Sequence, residues 1–222
     1  MGDRFSPGLA VTDWQRTESR DKNLTRERII ESAMQAFAEQ GYHDTSMDDI
    51  VRRSGFSKGA IYFHFPGKEA LFYALVRRLA DALEAAARSS IEHERGAVAR
   101  VDAALQTLLG MISRHPRLAR VALVSGGGLG PSLDSHLMKL DERFARFIKE
   151  YLDKAVGDGS IPAVETNIVA HAWLGAIKEI VVRWLRARNR DPLERVIPAL
   201  RVLLLRSIGI EVSGSGKAVK EK

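Results

Sequence analysis

The chain has 222 residues, of which 45% are hydrophobic and 28% are charged, a composition typical of a folded globular protein. It contains no cysteine, which excludes disulfides and thiolate metal sites, and no apolar run approaches the ~20 residues that span a bilayer. The net charge of +6 is compatible with nucleic-acid binding, although net charge alone is a weak indication. The first ten residues lack the pattern of a secretion signal, so we expect a cytoplasmic protein without membrane contact.

Both ends of the chain have compositions typical of segments without regular structure. Residues 1–22 mix Gly, Pro, Ser and charged residues without periodicity, and residues 211–222 are rich in Ser, Gly and Lys. We predict a disordered arm over 1–22 and a flexible tail over 211–222. The first helix is expected to begin at Thr25, a good N-cap, and to end before Gly41.

Residues 45–64 have the pattern of two short helices joined by a glycine turn. Thr45 is the predicted N-cap of the first, with Asp48 three residues later as in a capping box. Gly55 permits the left-handed conformation that ends this helix, and Ser57 can cap the next one, which runs to about His64. Two short helices around such a turn are typical of a helix-turn-helix motif that enters the major groove of DNA.

Helical periodicity continues to residue 209, and no segment has the alternation expected of a strand. A helix that follows Pro66 and Gly67 carries leucines along one side at positions 71, 75, 79 and 83. Longer helices follow, and the last two are expected over residues 164–189 and 192–209. We therefore predict an all-α fold with about nine helices.

The second helix of the predicted motif is small, aromatic and basic. Residues 52–78 contain six Lys or Arg and one acidic residue, Glu69. Lys58 can pair with a phosphate or a guanine edge, and the helix N-termini near Thr45 and Lys68 favour phosphate. The candidate DNA contacts are Thr45, Ser57, Lys58, Gly59, Tyr62, His64 and Lys68.

Structural alternatives remain open for several of these positions. Gly59 can simply permit close packing, Thr45 can act only as a cap, and His64 can make local contacts. If Lys68 contacts one phosphate, its replacement by alanine lowers the slope of log K against log salt by about 0.9.

Residues 57–71, SKGAIYFHFPGKEAL, resemble the DNA-binding domain of TetR/AcrR-family transcriptional regulators. The match begins near Thr25, includes residues 36–42 and ends near Leu75; Gly67 departs from the Ser or Asn that commonly caps the fourth helix. The resemblance implies a DNA-binding domain over residues 23–67 and a larger ligand-binding and dimerisation domain over residues 68–210. It also implies that the candidate contacts above bind operator DNA.

The last two predicted helices are apolar on more than one face, which indicates a core on one side and a partner on the other. The resemblance implies a homodimer through a four-helix bundle formed by these helices; a monomer with a thick core is the alternative. The predicted interface residues are Ile168, Ala172, Ala176, Ile180, Trp184, Leu200 and Leu204.

An effector pocket is expected among the middle helices. Its candidate lining residues, which are otherwise ordinary core, are Met111, Phe144, Phe147, Tyr151 and Trp173. Residues 172–185 are similar to the corresponding helix of family members that sense fatty acyl-CoA, with Arg183 and Arg186 available for phosphates; another small hydrophobic effector is the alternative. The glycine-rich segment 125–131 lacks the Lys-Ser/Thr of a phosphate-binding loop and is interpreted as a flexible connection.

No catalytic constellation is evident in the sequence. The six histidines are scattered, without a metalloprotease motif or a nucleophile paired with a base, so we expect no enzyme, metal or cofactor. The resemblance implies a repressor that is released from DNA by a ligand. A helical interaction protein that has lost specific DNA binding is the alternative, and the intact Lys58, Tyr62 and Lys68 argue against it.

Overall fold

The computed structural model describes residues 10–124, 131–187 and 191–211, with the backbone alone for residues 10–20 and for Ser132. Parts of the predicted arm, the glycine-rich connection, the end of the 164–189 helix and most of the predicted tail lie outside the described residues. No described helix is both long enough and apolar enough to cross a bilayer.

The described residues form nine α-helices and one short 3-10 helix, with no strand, so the all-α prediction is confirmed. The helices are α1 (Ala10–Gln40), α2 (Met47–Ser54), α3 (Lys58–His64), α4 (Lys68–Glu92), α5 (Ala97–Arg114), α6 (Pro116–Leu123), α7 (Pro131–Gly157), α8 (Thr166–Arg186) and α9 (Ile197–Arg206). The 3-10 helix Leu193–Val196 precedes α9.

The first helix begins at Ala10, well before the predicted start at Thr25. Residues 10–40 contain neither glycine nor proline, so no residue interrupts the helix. Among residues 21–40, whose side chains the structure describes, buried apolar positions begin at Ile29. The prediction of a disordered arm that extends to residue 22 is therefore wrong for residues 10–22. The helix ends at Gly41, which has a φ of 86°.

The start of α2 differs by one residue from the predicted start. Ser46 is the N-cap: its hydroxyl accepts a hydrogen bond from the amide of Asp49, and the Asp49 carboxylate accepts one from the amide of Ser46. This reciprocal capping box replaces the predicted pair of Thr45 and Asp48. Gly55 ends α2 with a φ of 72°, and the hydroxyl of Ser57 caps α3, both as predicted.

The described residues form two compact units that divide between Leu75 and Val76. The predicted boundary at residue 67 fell earlier because it followed the Pro66-Gly67 break. The first two turns of α4 belong to the first unit, where the buried ring of Phe72 lies 5.8 Å from that of Phe37 and 4.7 Å from that of Tyr42. These aromatic contacts form part of the core of the first unit.

The second unit has an apolar core to which α5, α7, α8 and α9 contribute. Leu109 of α5, Leu185 of α8 and Leu193 are fully buried in it. The indole N–H of Trp173 donates to the hydroxyl of Ser207 at 2.8 Å, so the polar atom of this buried ring has a partner. This hydrogen bond joins α8 to the end of α9.

An ion network joins α4 to α7 within the second unit. Arg143 donates to Asp81 and Glu84, and Arg88 donates to Glu84 and Glu150. Hydrogen bonds to these carboxylates raise the pKa of both arginines, against the lowering effect of partial burial. Because four of these side chains are at least one-third exposed, the network orients the two helices more than it stabilises them.

Candidate nucleic-acid interface and ligand cavities

Helix α3 presents one side to the core of the first unit and the other to solvent. Ile61 and Phe65 are buried, which fixes the orientation of the helix. Ser57, Lys58, Gly59 and Tyr62 are exposed, whereas His64 is partly exposed. Five of the seven predicted DNA contacts therefore lie on an exposed or partly exposed part of one short helix and its cap.

Lys58 has a partner that a phosphate can replace. Its ammonium donates to the carboxylate of Asp48 at 3.0 Å, and this hydrogen bond is the main cause of the raised pKa of Lys58. Both side chains are more than 60% exposed, so the pair contributes little to stability. The ammonium can exchange Asp48 for a DNA phosphate at small cost.

Gly59 has no structural reason to be glycine within the described residues. Its φ is not positive, and a Cβ built on it meets no atom within 4 Å. The packing alternative for this residue is therefore wrong. The backbone of α3 at Gly59 is therefore open to an approaching molecule.

Thr45 is placed differently from the prediction. The residue is 1% exposed, and its hydroxyl donates to the carbonyl of Gly41 at 2.6 Å. Its side chain is therefore closed off from solvent, and Ser46 performs the capping. Thr45 instead fixes the connection between α1 and α2.

Lys68 is also occupied within the first unit. Its ammonium donates to the carbonyls of Tyr42 (2.9 Å), His43 (3.2 Å) and Thr45 (2.9 Å), and lies 4.5 Å from the centre of the Tyr42 ring. An ammonium has three donors, and all three are used. Lys68 therefore holds the α1–α2 connection against the start of α4, and its predicted phosphate contact stays a prediction.

The sequence analysis missed one residue of α3. Phe63 is 73% exposed and lies next to Tyr62, which is 41% exposed. Its ring contacts that of His64 edge-on, with the centroids 5.2 Å apart. The sequence could have predicted its exposure. Ile61 and Phe65 are four residues apart on one side of α3, so residue 63, midway between them, lies on the opposite side of the helix.

Two apolar cavities lie within the second unit, with volumes of about 230 and 390 Å³. Phe147, Tyr151 and Trp173 line the smaller cavity, Met111 lines the larger one, and Phe144 lines both. All five predicted pocket residues are thus cavity residues. The two cavities share a wall that includes the ion pair between Asp141 and Lys178.

The predicted interface residues fall into two groups. Ile168 is 67% exposed and Ala172 is exposed, whereas Ala176, Ile180 and Trp184 pack partly against the protomer core. Leu200 and Leu204 are buried inside that core, so both positions are wrong as interface residues. Helix α9 is apolar apart from Arg201 and Arg206, and its exposed leucine is Leu203, at 56%.

A helix-turn-helix with an exposed, basic second helix, in an all-helical chain, defines a DNA-binding protein of the helix-turn-helix class. The family model for bacterial regulatory proteins of the tetR family matches residues 29–75. The model for the tetracyclin repressor-like C-terminal domain matches residues 94–208. The chain therefore belongs to the TetR family of DNA-binding transcriptional regulators, which are not enzymes.

Among curated relatives, the chain is 27% identical over 175 residues to the transcriptional regulator SrpR of Pseudomonas putida, covering 78% of this chain and 80% of SrpR. It is 26% identical over 171 residues to the nucleoid occlusion factor SlmA of Vibrio vulnificus, covering 75% and 86% of the two chains. Both similarities extend well beyond the helix-turn-helix.

Among solved structures, the fatty acid degradation regulator FadR of Bacillus halodurans has a TM-score of 0.75 at 20% identity, over 82% of this chain and 94% of FadR. FadR of Bacillus subtilis, in complex with stearoyl-CoA, has a TM-score of 0.75 at 19% identity, over 82% and 98%. At these identities the similarity shows the fold. Operator DNA binding and dimerisation are typical of the family.

Proposed function

We propose that the protein is a repressor that binds operator DNA as a homodimer in the cytoplasm and is released by a small hydrophobic molecule. The observation that supports it most is Gly59, a helical glycine whose missing side chain faces open space. The fold places no neighbour against that glycine, so a DNA backbone can lie close to α3 at this position.

The proposed DNA contacts are those of the exposed part of α3. Ser57, Lys58 and Gly59 offer a hydroxyl, an ammonium and an accessible backbone, and Tyr62 and His64 offer a hydroxyl and an imidazole. Thr45 and Lys68 act indirectly, because their hydrogen bonds hold the α1–α2 connection. This assignment reduces the predicted set of seven contacts to five direct ones.

The proposed dimer uses the exposed apolar positions of the last two helices. Ile168, Ala172 and Gly175 lie at helical spacing on the exposed side of α8, and Leu203 is exposed on α9. Small residues at 172 and 175 permit a close approach of two helices. A dimer also presents α3 twice, which suits the two half-sites of a palindromic operator.

The proposed effector binds in the cavities of the second unit. Their walls are apolar apart from a few charged or polar residues, such as Arg100 and the pair of Asp141 and Lys178. Such a lining suits a hydrophobic molecule oriented by one polar group. An acyl-CoA is the less favoured effector, because Arg183 and Arg186 are exposed and neither lines a cavity.

Selection of bound fragments from genomic DNA at moderate salt tests the proposal. We expect recovery of fragments with a shared palindromic element, binding of that element by the purified protein, and weaker binding on addition of a hydrophobic effector. Leu203→Glu, which places a charge on the proposed interface, is expected to give a monomer in sedimentation and to weaken operator binding. Recovery of no preferred sequence would support the helical interaction protein instead.

A further inference from the structure

Phe63 is the most exposed large hydrophobic side chain among the described residues. Its exposed fraction of 73% exceeds that of Ile168 (67%) and Met138 (66%). Isolated exposed apolar side chains are common, but this one lies on a seven-residue helix that also carries Lys58 and Gly59. Its position on the candidate interface indicates that its ring contacts the bound molecule rather than another part of the protein.

Among the described residues of the first unit, no core contact explains a phenylalanine at this position. Ile61 and Phe65 make the core contacts of α3, and the ring contact described for Phe63 is the edge of the neighbouring His64 ring at 5.2 Å. Phe63 follows Gly59 by one helical turn, so the two residues lie on the same side of α3. A surface that comes close to the backbone at Gly59 therefore also meets the ring of Phe63.

We propose that Phe63 determines sequence specificity by packing its ring against the 5-methyl group of a thymine in the major groove. Thymine carries the one methyl group that the four bases present in that groove, and phenylalanine is among the residues that contact it. The inference rests on the proposed binding of operator DNA by α3. It assigns to Phe63 base recognition, a role distinct from the phosphate contacts of Lys58 and Tyr62.

Two other contacts of the Phe63 ring would give different results. A ring inserted between base steps of the minor groove would stabilise the complex without regard to a methyl group. A protein partner docked on α3 would leave DNA affinity independent of Phe63. Gly59 and Lys58 suit an approaching polyanion, which favours DNA over a protein partner. The second helix of a helix-turn-helix enters the major groove, which favours the methyl contact over insertion in the minor groove.

The test uses duplexes in which single thymines are replaced by deoxyuridine, which removes the methyl group alone. The parent duplex is the sequence that the full-length protein selects from a random library. Dissociation constants are measured for the wild type, Phe63→Ala and Phe63→Leu. Val98→Ala is the control, because Val98 is an exposed apolar residue of α5 that lines neither cavity.

At one thymine in each half-site, deoxyuridine is expected to weaken wild-type binding about fourfold, the effect of one lost methyl contact. Phe63→Ala binds the parent and that deoxyuridine duplex equally, Phe63→Leu retains part of the difference, and Val98→Ala retains all of it. If Phe63→Ala discriminates every deoxyuridine duplex as the wild type does, the inference is wrong while the proposed function stands. If no sequence is selected at all, both fail together.

Discussion

The first unit has its candidate binding features on its surface, whereas the second unit has them in cavities. In the first unit the features are surface residues that the fold does not require, namely a glycine with open space beside it and an exposed phenylalanine. In the second unit they are cavities of about 230 and 390 Å³ bordered by apolar side chains. Exposed residues that the fold does not need suit a large partner that binds to the surface. Cavities suit a small molecule.

Deleting one phenylalanine ring from each unit would test this comparison with the largest expected effect. Phe72 is fully buried among Phe37 and Tyr42, so Phe72→Ala is expected to lower the free energy of unfolding by about 3–5 kcal/mol and to abolish DNA binding. Phe144 is partly exposed and borders both cavities, so Phe144→Ala is expected to cost only about 1–2 kcal/mol. It should preserve DNA binding and alter effector affinity. Urea unfolding and operator titration measure both; equal losses in the two variants would contradict the comparison.

Two lysines of the first unit separate a residue that supports the interface from one that forms it. Lys68→Met removes three hydrogen bonds to carbonyls and is expected to lower the free energy of unfolding by about 2–3 kcal/mol, with no change in the salt slope of DNA binding. Lys58→Met is expected to leave stability unchanged within about 0.5 kcal/mol and to lower the salt slope by about 0.9. A lowered slope in Lys68→Met would restore Lys68 to the phosphate contacts.

Gly59→Ala should change stability and binding in opposite directions. The added methyl group meets no atom within 4 Å and improves helix propensity, so the free protein is expected to gain about 0.5 kcal/mol. Operator affinity is expected to fall about tenfold if the methyl group displaces one phosphate hydrogen bond. Thermal unfolding and anisotropy titrations measure the two effects. A variant that is both stabilised and unimpaired in binding would show that DNA does not approach this turn.

The smallest expected effect concerns acid stability and the capping box of α2. The hydroxyl and then the amide of Ser46, which donate hydrogen bonds to Asp49, lower the pKa of that carboxyl below its ordinary value. A pKa lowered by folding contributes stability above the unfolded pKa of about 3.9, and this is lost as the pH falls through the folded value. Asp49→Ala is therefore expected to be destabilising at neutral pH and indistinguishable from wild type in strong acid. A difference that persists in strong acid would exclude the carboxylate as the cause.

Local patterns in the sequence predicted the helices but not every register. A Thr45–Asp48 pair and a Ser46–Asp49 pair both satisfy the capping-box spacing. The choice between them depends on the Thr45 hydroxyl, which contacts the carbonyl of Gly41 at the end of α1. Similarly, the continuous apolar pattern of α9 gave no indication that Leu200 and Leu204 face inward while Leu203 faces solvent.

The sequence predicted the exposed residues of α3. It did not predict the role of a residue that depends on contacts between distant parts of the chain. Lys58, Gly59 and Tyr62 were found from composition and resemblance, and the structure places them on an exposed surface. The role of Lys68 requires knowing that residues 42–45 lie beside residue 68, a contact that no local pattern encodes. Phe63 was missed because its exposure follows only once Ile61 and Phe65 are both recognised as the buried side of α3.

The position of Trp173, whose indole donates to Ser207, has a practical consequence for ligand-binding assays. Trp173 borders the 230 Å³ cavity, so a molecule that enters it changes the environment of a fluorophore already present in the chain. The chain has three tryptophans, and Trp184 donates instead to the carbonyl of Asp191. Replacing Trp14 and Trp184 with phenylalanine leaves a single intrinsic reporter, whose emission maximum can be followed while candidate compounds are added in the absence of DNA.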